Sequence, residues 1–218
     1  MTVDVEILDR LQRIYPVSRE TIVKFARYEE LLVQWQKKTN LVAPSTLSQF
    51  WSRHVADSLQ LLKIADDADV WTDIGSGGGF PGLILALAMD EISARAGKKK
   101  TVNLVESIQK KCAFLRRVGS ETNCSVNVHP IRIESAAEQL EQADIITARA
   151  LASLHQLLEL SGDHISGNKR ALFHKGRDYQ RELEECRGKY EFDLVIHDSV
   201  IDAESVILEI SNVKRVGR

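Results

Sequence analysis

A glycine-rich segment, residues 70–82, constrains the fold of this chain more than any other stretch. A short apolar run ends at Asp73, alternating glycines follow, and Pro81 precedes a leucine-rich stretch; the alternating glycines are Gly75, Gly77 and Gly79. Glycine permits positive φ and lets bare backbone approach a ligand, and proline is tolerated in a first helical turn. The order of strand, tight loop and helix predicts the first crossover of a doubly wound, mostly parallel α/β sheet.

Asp73, two residues before the first glycine, restricts what the loop can bind. A dinucleotide places its pyrophosphate on the helix N-terminus, where positive partial charge suits an anion. A carboxylate at that strand end would repel the anion and would instead suit a cation or a hydrogen-bond donor. The pattern resembles the first motif of Rossmann-like methyltransferases, whose cofactor S-adenosylmethionine carries a sulfonium and an amino group. A glycine-rich turn without a ligand is the alternative.

A second acid, Glu106, ends the next predicted strand, residues 101–105. In doubly wound sheets an acid at this point accepts hydrogen bonds from ribose hydroxyls. Glu106 alone could be a surface carboxylate, but together with Asp73 the ribose role is favoured. We therefore predict that Asp73, Glu106 and the backbone of Gly75 and Gly77 hold the cofactor.

Length and composition indicate one soluble unit. The 218 residues, 44% of them apolar, suit a single domain with a helical cap over residues 1–65 and a methyltransferase core over residues 66–218. Three cysteines without paired spacing indicate a reducing compartment, with no disulfide or metal site expected. No signal-like apolar segment and no stretch of membrane-spanning length is present, so we expect a cytoplasmic protein without a membrane partner.

The cap is predicted to contain three helices, residues 4–15, 18–38 and 46–64. In the third, Trp51, Val55, Leu59 and Leu62 form an apolar face, and polar residues lie on or near the opposite face; the polar residues are Arg53, His54, Asp57 and Ser58. His54, Asp57 and Ser58 share one side of a helix. Their favoured role is a hydrogen-bonded cluster that docks the cap on the sheet, and a contact to cofactor or to a flipped base is the alternative.

The remaining strands are predicted at residues 125–129, 144–147, 170–174, 192–196 and 205–210. The last two have no helix between them, which is typical of a sheet with an antiparallel last strand and does not fit a second NAD-binding half. After the second strand a helix is predicted with Ile108, Cys112, Leu115 and Val118 facing inward. The basic tail of Lys214, Arg215 and Arg218 is expected to be loose.

Nucleic-acid binding would have to come from a local basic face, because the formal net charge is −2. The residues expected on that face flank the predicted cleft: Lys110, Lys111, Arg117, Arg132, Arg149 and Lys175. A solvated helix face is the alternative for Lys110, Lys111 and Arg117. For Arg149, which follows the fourth strand, a structural salt bridge is nearly as plausible.

Six motifs in one order resemble the glucose-inhibited division protein B family, the 16S rRNA guanine-N7 methyltransferases. They are Trp35…Asn40-Leu41, His54-x-x-Asp57-Ser58-Leu59, the segment Asp73–Gly82, Glu106-Ser107…Lys110-Lys111-x-x-Phe114-Leu115, Arg149-Ala150 and Lys175-Gly176. The resemblance spans residues 29–209. It implies S-adenosylmethionine contacts for Gly75, Phe80, Ile133, Glu134 and Arg149. It also implies that the substrate is one guanine in the decoding-region loop of 16S rRNA, presented as RNA or within the small ribosomal subunit to a monomeric enzyme.

The chemistry of that reaction agrees with the residues. Guanine N7 has an in-plane lone pair and no proton, so methyl transfer needs alignment and exclusion of water, not a general base. No catalytic residue is therefore assigned, and Arg149 and Lys175 are only candidates, as donors to guanine O6. Two other functions stay open: an NAD-dependent oxidoreductase, and a non-catalytic RNA-binding factor of ribosome assembly.

Overall fold

The computed structural model describes residues 5–217, with the side chains of residues 94–96 left aside. A seven-stranded sheet forms its centre, in the spatial order β3-β2-β1-β4-β5-β7-β6. The strands are β1 (Val70–Ile74), β2 (Thr101–Val105), β3 (Asn127–His129), β4 (Ile145–Arg149), β5 (Arg170–Lys175), β6 (Tyr190–Asp198) and β7 (Val206–Arg215). The first five pair in parallel, and β7 runs antiparallel to both β5 and β6. The predicted fold class is confirmed.

Helices connect and cover the parallel strands. Those after β1 are α5 (Gly82–Ala96), α6 (Gln109–Glu121), α7 (Ala137–Gln142), α8 (Leu154–Ser161) and α9 (Tyr179–Cys186), with single 3₁₀ turns at Ile133–Ser135 and Gly162–His164. The spatial order reverses between β1 and β4, so the chain leaves the sheet on opposite sides there. In open α/β sheets, ligands bind in the crevice that this reversal creates at the carboxyl ends of the strands.

The N-terminal cap begins with α1 (Val5–Ile14) and α2 (Arg19–Gln36). Ser18 caps α2 through its hydroxyl, which accepts the Thr21 N–H. Both the Ser18 amide and the Thr21 hydroxyl also donate to Glu91 of α5, at 2.9 and 2.6 Å, which fastens the cap to the sheet layer.

The third cap helix differs from the prediction of one α-helix over residues 46–64. The segment divides into a 3₁₀ helix Pro44–Gln49, a π-helix Phe50–Val55 and two short α-helices, α3 (Ala56–Leu59) and α4 (Leu61–Ile64). Both of its faces are buried: Val55 and Leu59 on one side, His54 and Asp57 on the other. A helical period assumes one buried face, so sequence periodicity could not reveal a segment whose polar face also packs on the protein.

An aromatic cluster joins the cap to the core. The Tyr28 ring stacks on Phe80 at 5.3 Å and meets Phe50 edge-on at 5.3 Å, and it also contacts Phe114 of α6 at 6.0 Å. Such pairs contribute about 0.5–1.5 kcal/mol each beyond the burial of their area. One hydrophobic cluster therefore includes residues from the cap, the glycine loop and the sheet.

The C-terminal hairpin is longer than predicted. Lys214 and Arg215 belong to β7, where they pair with Glu191 and Tyr190 of β6. Arg215 also bonds Asp163 at 3.2 Å. The prediction of a loose basic tail is thus wrong for these two residues, because the pairing with β6 continues beyond Ile210, the predicted end of the last strand. Arg218 lies outside the described residues. Within residues 5–217, no helix is long and apolar enough to cross a membrane.

Candidate active site

A cavity of about 670 Å³ opens at the carboxyl ends of β1, β2 and β4, beneath the cap. Most of the sequence-predicted site residues line it: Gly75, Gly77, Phe80, Glu106, Lys111, Arg132, Ile133, Glu134 and Arg149. Its volume is that of a pocket for a drug-sized ligand. We call this cavity the cleft.

Glu106 fixes the loops on one side of the cleft. Its two carboxylate oxygens accept the backbone N–H groups of Gly77 at 2.9 Å and of Ile108 at 2.8 Å. The N–H groups of Gly75 and Ser76 donate to the carbonyl of Val105, at 2.9 and 3.1 Å. The glycine loop therefore folds back over the end of β2, and Glu106 stays at the cleft wall with limited exposure.

The glycine loop needs glycine at its first position for two reasons. Gly75 has φ of +67°, in the left-handed region. A Cβ placed there would also come within 2.5 Å of the Leu151 side chain, across the cleft. The glycine loop therefore presents bare backbone to the cleft, which allows a ligand to approach it closely.

Asp73 does not line the cleft, and this corrects its predicted role as a direct cofactor anchor. It is buried under the glycine loop. Its carboxylate accepts the Thr147 hydroxyl of β4 at 3.0 Å and the Gly82 amide of α5 at 3.3 Å. The donors that satisfy the acid thus come from the protein itself, which a sequence pattern could not distinguish from donors on a ligand.

Arg149, at the end of β4, both lines the cleft and pairs with the cap. Its Nε lies 3.0 Å from Asp57 Oδ2, one terminal nitrogen lies 3.0 Å from His54 Nδ1, and the other donates to the Arg53 carbonyl at 3.4 Å. Both alternatives considered for Arg149 therefore apply: it forms a structural salt bridge and it faces the cleft.

The three cap residues His54, Asp57 and Ser58 have separate roles. Asp57 joins the cap to the sheet, because its carbonyl also accepts His174 Nε2 of β5 at 3.0 Å. The Ser58 hydroxyl donates to the His54 carbonyl at 2.7 Å, within the helix. His54 lines the cleft, and its ring stacks on Phe80 at 4.5 Å. The docking interpretation describes Asp57, whereas Ser58 bonds within its own helical segment and His54 lines the cleft.

Lys175 lies outside the cleft lining. Its side chain is buried, with the amino group 2.7 Å from Glu182 and 2.7 Å from the Ala152 carbonyl. This placement argues against the predicted contact of Lys175 with RNA or with guanine O6. Lys110 and Arg117 are also outside the cleft, exposed on α6, and Arg117 pairs with Glu121.

One whole wall of the cleft was not predicted from the sequence. Residues 40–43 line it, and we call them the lip. The Gln36 side chain shapes the lip by accepting the N–H groups of Leu41 and Val42 at 2.9 and 3.1 Å. The break in helical periodicity after residue 38 marks a loop but says nothing about where the loop lies.

The lining also includes residues that the sequence did not indicate as site residues, among them Thr46, Arg53, Ile108 and Leu151. Ile108 was predicted to face inward, and it is instead 49% exposed, since it precedes α6 as the N-cap residue and turns toward the cleft. Together with Ile133 it supplies apolar surface near Glu106. Among the residues that the structure describes, no group of three or more His, Cys, Asp or Glu side chains is arranged to hold a metal ion.

Comparisons with known proteins identify one family. The GidB family model, rRNA small subunit methyltransferase G, matches residues 21–210. The ribosomal RNA small subunit methyltransferase G of Brucella ovis is 48% identical over 216 residues, covering 99% of both chains. The protein of the same name from Brucella suis biovar 1 has the same identity and coverage.

Among solved structures, a mutant of MtNAS in complex with S-adenosylmethionine has a similar fold. The TM-score is 0.54 at 16% identity, covering 95% of this chain and 80% of that chain. At this identity the likeness concerns the fold alone.

The buried carboxyl group of Asp73 should lower the free energy of unfolding as the pH rises. Burial raises the pKa of Asp73 to about 7, whereas an unfolded aspartate titrates near about 4. Between these values the folded protein binds the extra proton. The Asp73 contribution to the unfolding free energy should therefore decrease as pH rises from about 4 to about 7, by at most about 1.4 kcal/mol per pH unit.

Urea denaturation of the wild type and of Asp73→Asn across that pH range measures this contribution, since asparagine cannot ionise. The stability difference should shift steadily in favour of the variant and level off above pH 7. Asp9→Asn, at an exposed carboxylate of α1, controls for general charge removal. A wild-type minus Asp73→Asn difference that is constant with pH would contradict the assignment.

Proposed function

This chain belongs to the rRNA small subunit methyltransferase G family, and we propose that it methylates N7 of one guanine in the decoding-region loop of 16S rRNA. The observation that carries the proposal is the cleft itself. A glycine loop and an acid at the end of β2 form one wall, and basic residues lie opposite and around its mouth. The proposal includes a monomeric enzyme acting in the cytoplasm on rRNA or on the small subunit.

The residues of the cleft fit S-adenosylmethionine. The carboxylate of Glu106 suits ribose hydroxyls, and Ile108 and Ile133 offer apolar surface for an adenine ring. The bare backbone of Gly75 and Gly77 allows a close approach at the base of the cleft, with Phe80 beneath. Glu134 and Arg149 add opposite charges that can meet an amino group and a carboxylate. S-adenosylmethionine supplies a methyl group on a sulfonium sulfur.

The chain's own contribution to the reaction is alignment and exclusion of water. The N7 lone pair forms the new bond to the methyl carbon while sulfur keeps the electrons of the bond that breaks, and the positive charge passes to the base. No proton moves, so no general base is required. The base must leave its stack to present N7, and a donor such as the Arg149 guanidinium would orient it through O6.

The RNA would approach over the basic residues around the cleft mouth. Lys111 and Arg132 line the cleft, Arg53 joins them from the cap, and Lys110 and Arg117 extend the positive surface along α6. The net charge of the chain is −2, so this local surface must provide the phosphate contacts. We leave Lys175 out of this surface because its side chain is buried and its amino group is paired with Glu182, whereas Arg117 is exposed.

Glu106→Gln should weaken S-adenosylmethionine binding. The substitution removes the negative charge. It also places an amide group beside the two backbone N–H groups that donate to the carboxylate in the wild type. A hydrogen bond to a charged group contributes roughly 1.5–3 kcal/mol, so the Kd measured by calorimetry should rise by about one to two decades. Glu138→Gln, on the exposed side of α7, is the matched control. An unchanged affinity would remove Glu106 from the cofactor site.

RNA in which 7-deazaguanine replaces the target guanine tests the acceptor atom. Carbon then occupies the place of N7 and the lone pair is gone, so transfer of labelled methyl should stop. The same substitution at a neighbouring guanine of the loop should leave transfer unchanged. Methylation of the target 7-deazaguanine at the normal rate would show that N7 is not the acceptor, and no transfer to unmodified small-subunit RNA or subunits would favour a non-catalytic RNA-binding role.

The salt dependence of RNA affinity maps the phosphate-binding side chains. Removing one cation that neutralises a phosphate should lower the slope of log K against log salt by about one. We expect that decrease for Lys111→Gln and for Arg132→Gln, and we compare them with Arg181→Gln on the distant helix α9. If Lys110, Lys111 and Arg117 can all be changed to Gln with the slope intact, α6 is a solvated face and not part of the interface.

A further inference from the structure

A chain of hydrogen bonds crosses from the end of β4 to the lip. Arg149 donates to His54 Nδ1 at 3.0 Å, His54 Nε2 meets the Thr46 hydroxyl at 3.1 Å, and that hydroxyl donates to the Ala43 carbonyl at 2.9 Å. Its members come from the sheet, the π-helix, the 3₁₀ helix and the lip. These hydrogen bonds therefore connect the end of β4 to the lip, the two walls of the cleft between which an acceptor base would enter.

The direction of every bond in this chain is determined by chemistry. A guanidinium can only donate, so His54 Nδ1 must be the acceptor and the ring proton must be on Nε2. His54 Nε2 then donates to the Thr46 oxygen, which leaves the Thr46 hydroxyl proton for the carbonyl of Ala43. One tautomer of a neutral ring satisfies all three bonds. A charged ring would place an N–H against the Arg149 guanidinium.

The surroundings keep His54 neutral. Burial lowers the pKa of His54 to about 4, and the nearby guanidiniums of Arg149 and Arg53 act in the same direction against Asp57. The ring is also held flat against Phe80, with an interplanar angle of 22°. His54 is thus fixed in position, tautomer and charge at the cleft wall, although the proposed reaction transfers no proton.

We propose that His54 is a positioning residue for the acceptor base, which holds the Arg149 guanidinium and the lip at the separation that the flipped guanine requires. The proposal rests on the proposed function and names what orients its substrate. Arg149 has N–H groups beyond the three that the cap uses, and these can meet the base only while the guanidinium keeps its orientation. Preorganised donors and walls raise the productive fraction of bound substrate.

Thr46→Val tests the chain at its middle bond with little change in shape. Valine lacks the hydroxyl that accepts from His54 and donates to Ala43. Losing these two neutral hydrogen bonds should lower kcat/KM for RNA by about fivefold to a hundredfold, with the Kd for S-adenosylmethionine within about twofold of wild type. Thr46→Ser, which restores the hydroxyl, should recover most of the lost activity. Ser48→Ala, an exposed change in the same 3₁₀ helix, should have no effect. Equal kcat/KM values for Thr46→Val and Thr46→Ser would overturn the proposal.

Two substitutions at His54 distinguish the hydrogen bond that Nδ1 accepts from Arg149 from the bond that Nε2 donates to Thr46. His54→Asn keeps an oxygen that can accept from Arg149 but has no group that reaches Thr46, whereas His54→Leu removes both bonds. RNA kcat/KM should decrease in the order wild type, His54→Asn, His54→Leu. The leucine variant should lose about tenfold to a hundredfold, because the charged Arg149 guanidinium loses one of its three cap partners and Thr46 loses its donor. A loss of S-adenosylmethionine affinity as large as the loss of RNA kcat/KM would mean that the ring acts on the cofactor, through Phe80 or Arg149, and not on the base; this would overturn the positioning role.

The nitrogen chemical shifts of His54 give a readout independent of activity. In the resting protein at pH 7 they should report a neutral ring protonated at Nε2, and Arg149→Met should relax that preference. A charged ring, or a proton on Nδ1, would contradict the chain of bonds directly. Methyl transfer by the wild type is measured separately, so absence of transfer would reject the proposed function while the nitrogen shifts still decide the tautomer.

Discussion

The buried carboxyl group of Asp73 is the constraint on which the cleft depends. It ties β1 to β4 through Thr147 and to the start of α5 through the Gly82 amide. The approach is so close that a Cβ on Gly82 would lie 2.6 Å from Asp73 Cβ. The chain between Asp73 and Gly82 must therefore leave the sheet and return within a few residues, and it does so as a glycine loop held by Glu106. Asp73, which the sequence pattern associates with a ligand, thus holds the glycine loop that forms the base of the cleft.

The cap provides the second constraint. It places Asp57 against Arg149 and His174, and it places Tyr28 and Phe50 around Phe80. Without the cap the cleft would lack its lip and Arg149 would lack its carboxylate partner. Because the same segment docks on the sheet and lines the cleft, stability of the cap and geometry of the site are expected to be coupled.

The sequence predicts those features that depend on local pattern. Strands β1 and β2 lie where apolar runs end in an acid, and Glu106 lies at the cleft wall because its strand position alone determines that location. Features that depend on tertiary partners escaped prediction. In the sequence Lys175 resembles a free cation, but its amino group is paired with Glu182. Asp73 resembles a ligand contact, but its carboxylate accepts the Thr147 hydroxyl. The lip has no sequence pattern beyond the end of a helix. Patterns place a residue on an element, but only packing decides which group it meets.

The charge of Arg149 illustrates how those partners alter the chemistry. Methylation at N7 gives the base a positive charge, so an unpaired guanidinium beside it would oppose the reaction while orienting the substrate. Asp57 lies 3.0 Å from the guanidinium, and its side chain is largely buried, where water screens little. The pair presents a field much weaker than that of a lone cation, yet the N–H groups that face the cleft keep their direction. His54 contributes orientation without any charge, since its ring is neutral. The cap therefore balances the charge of Arg149 and fixes its orientation, and in the proposed reaction this would let the guanidinium orient the base without adding a lone positive charge beside it.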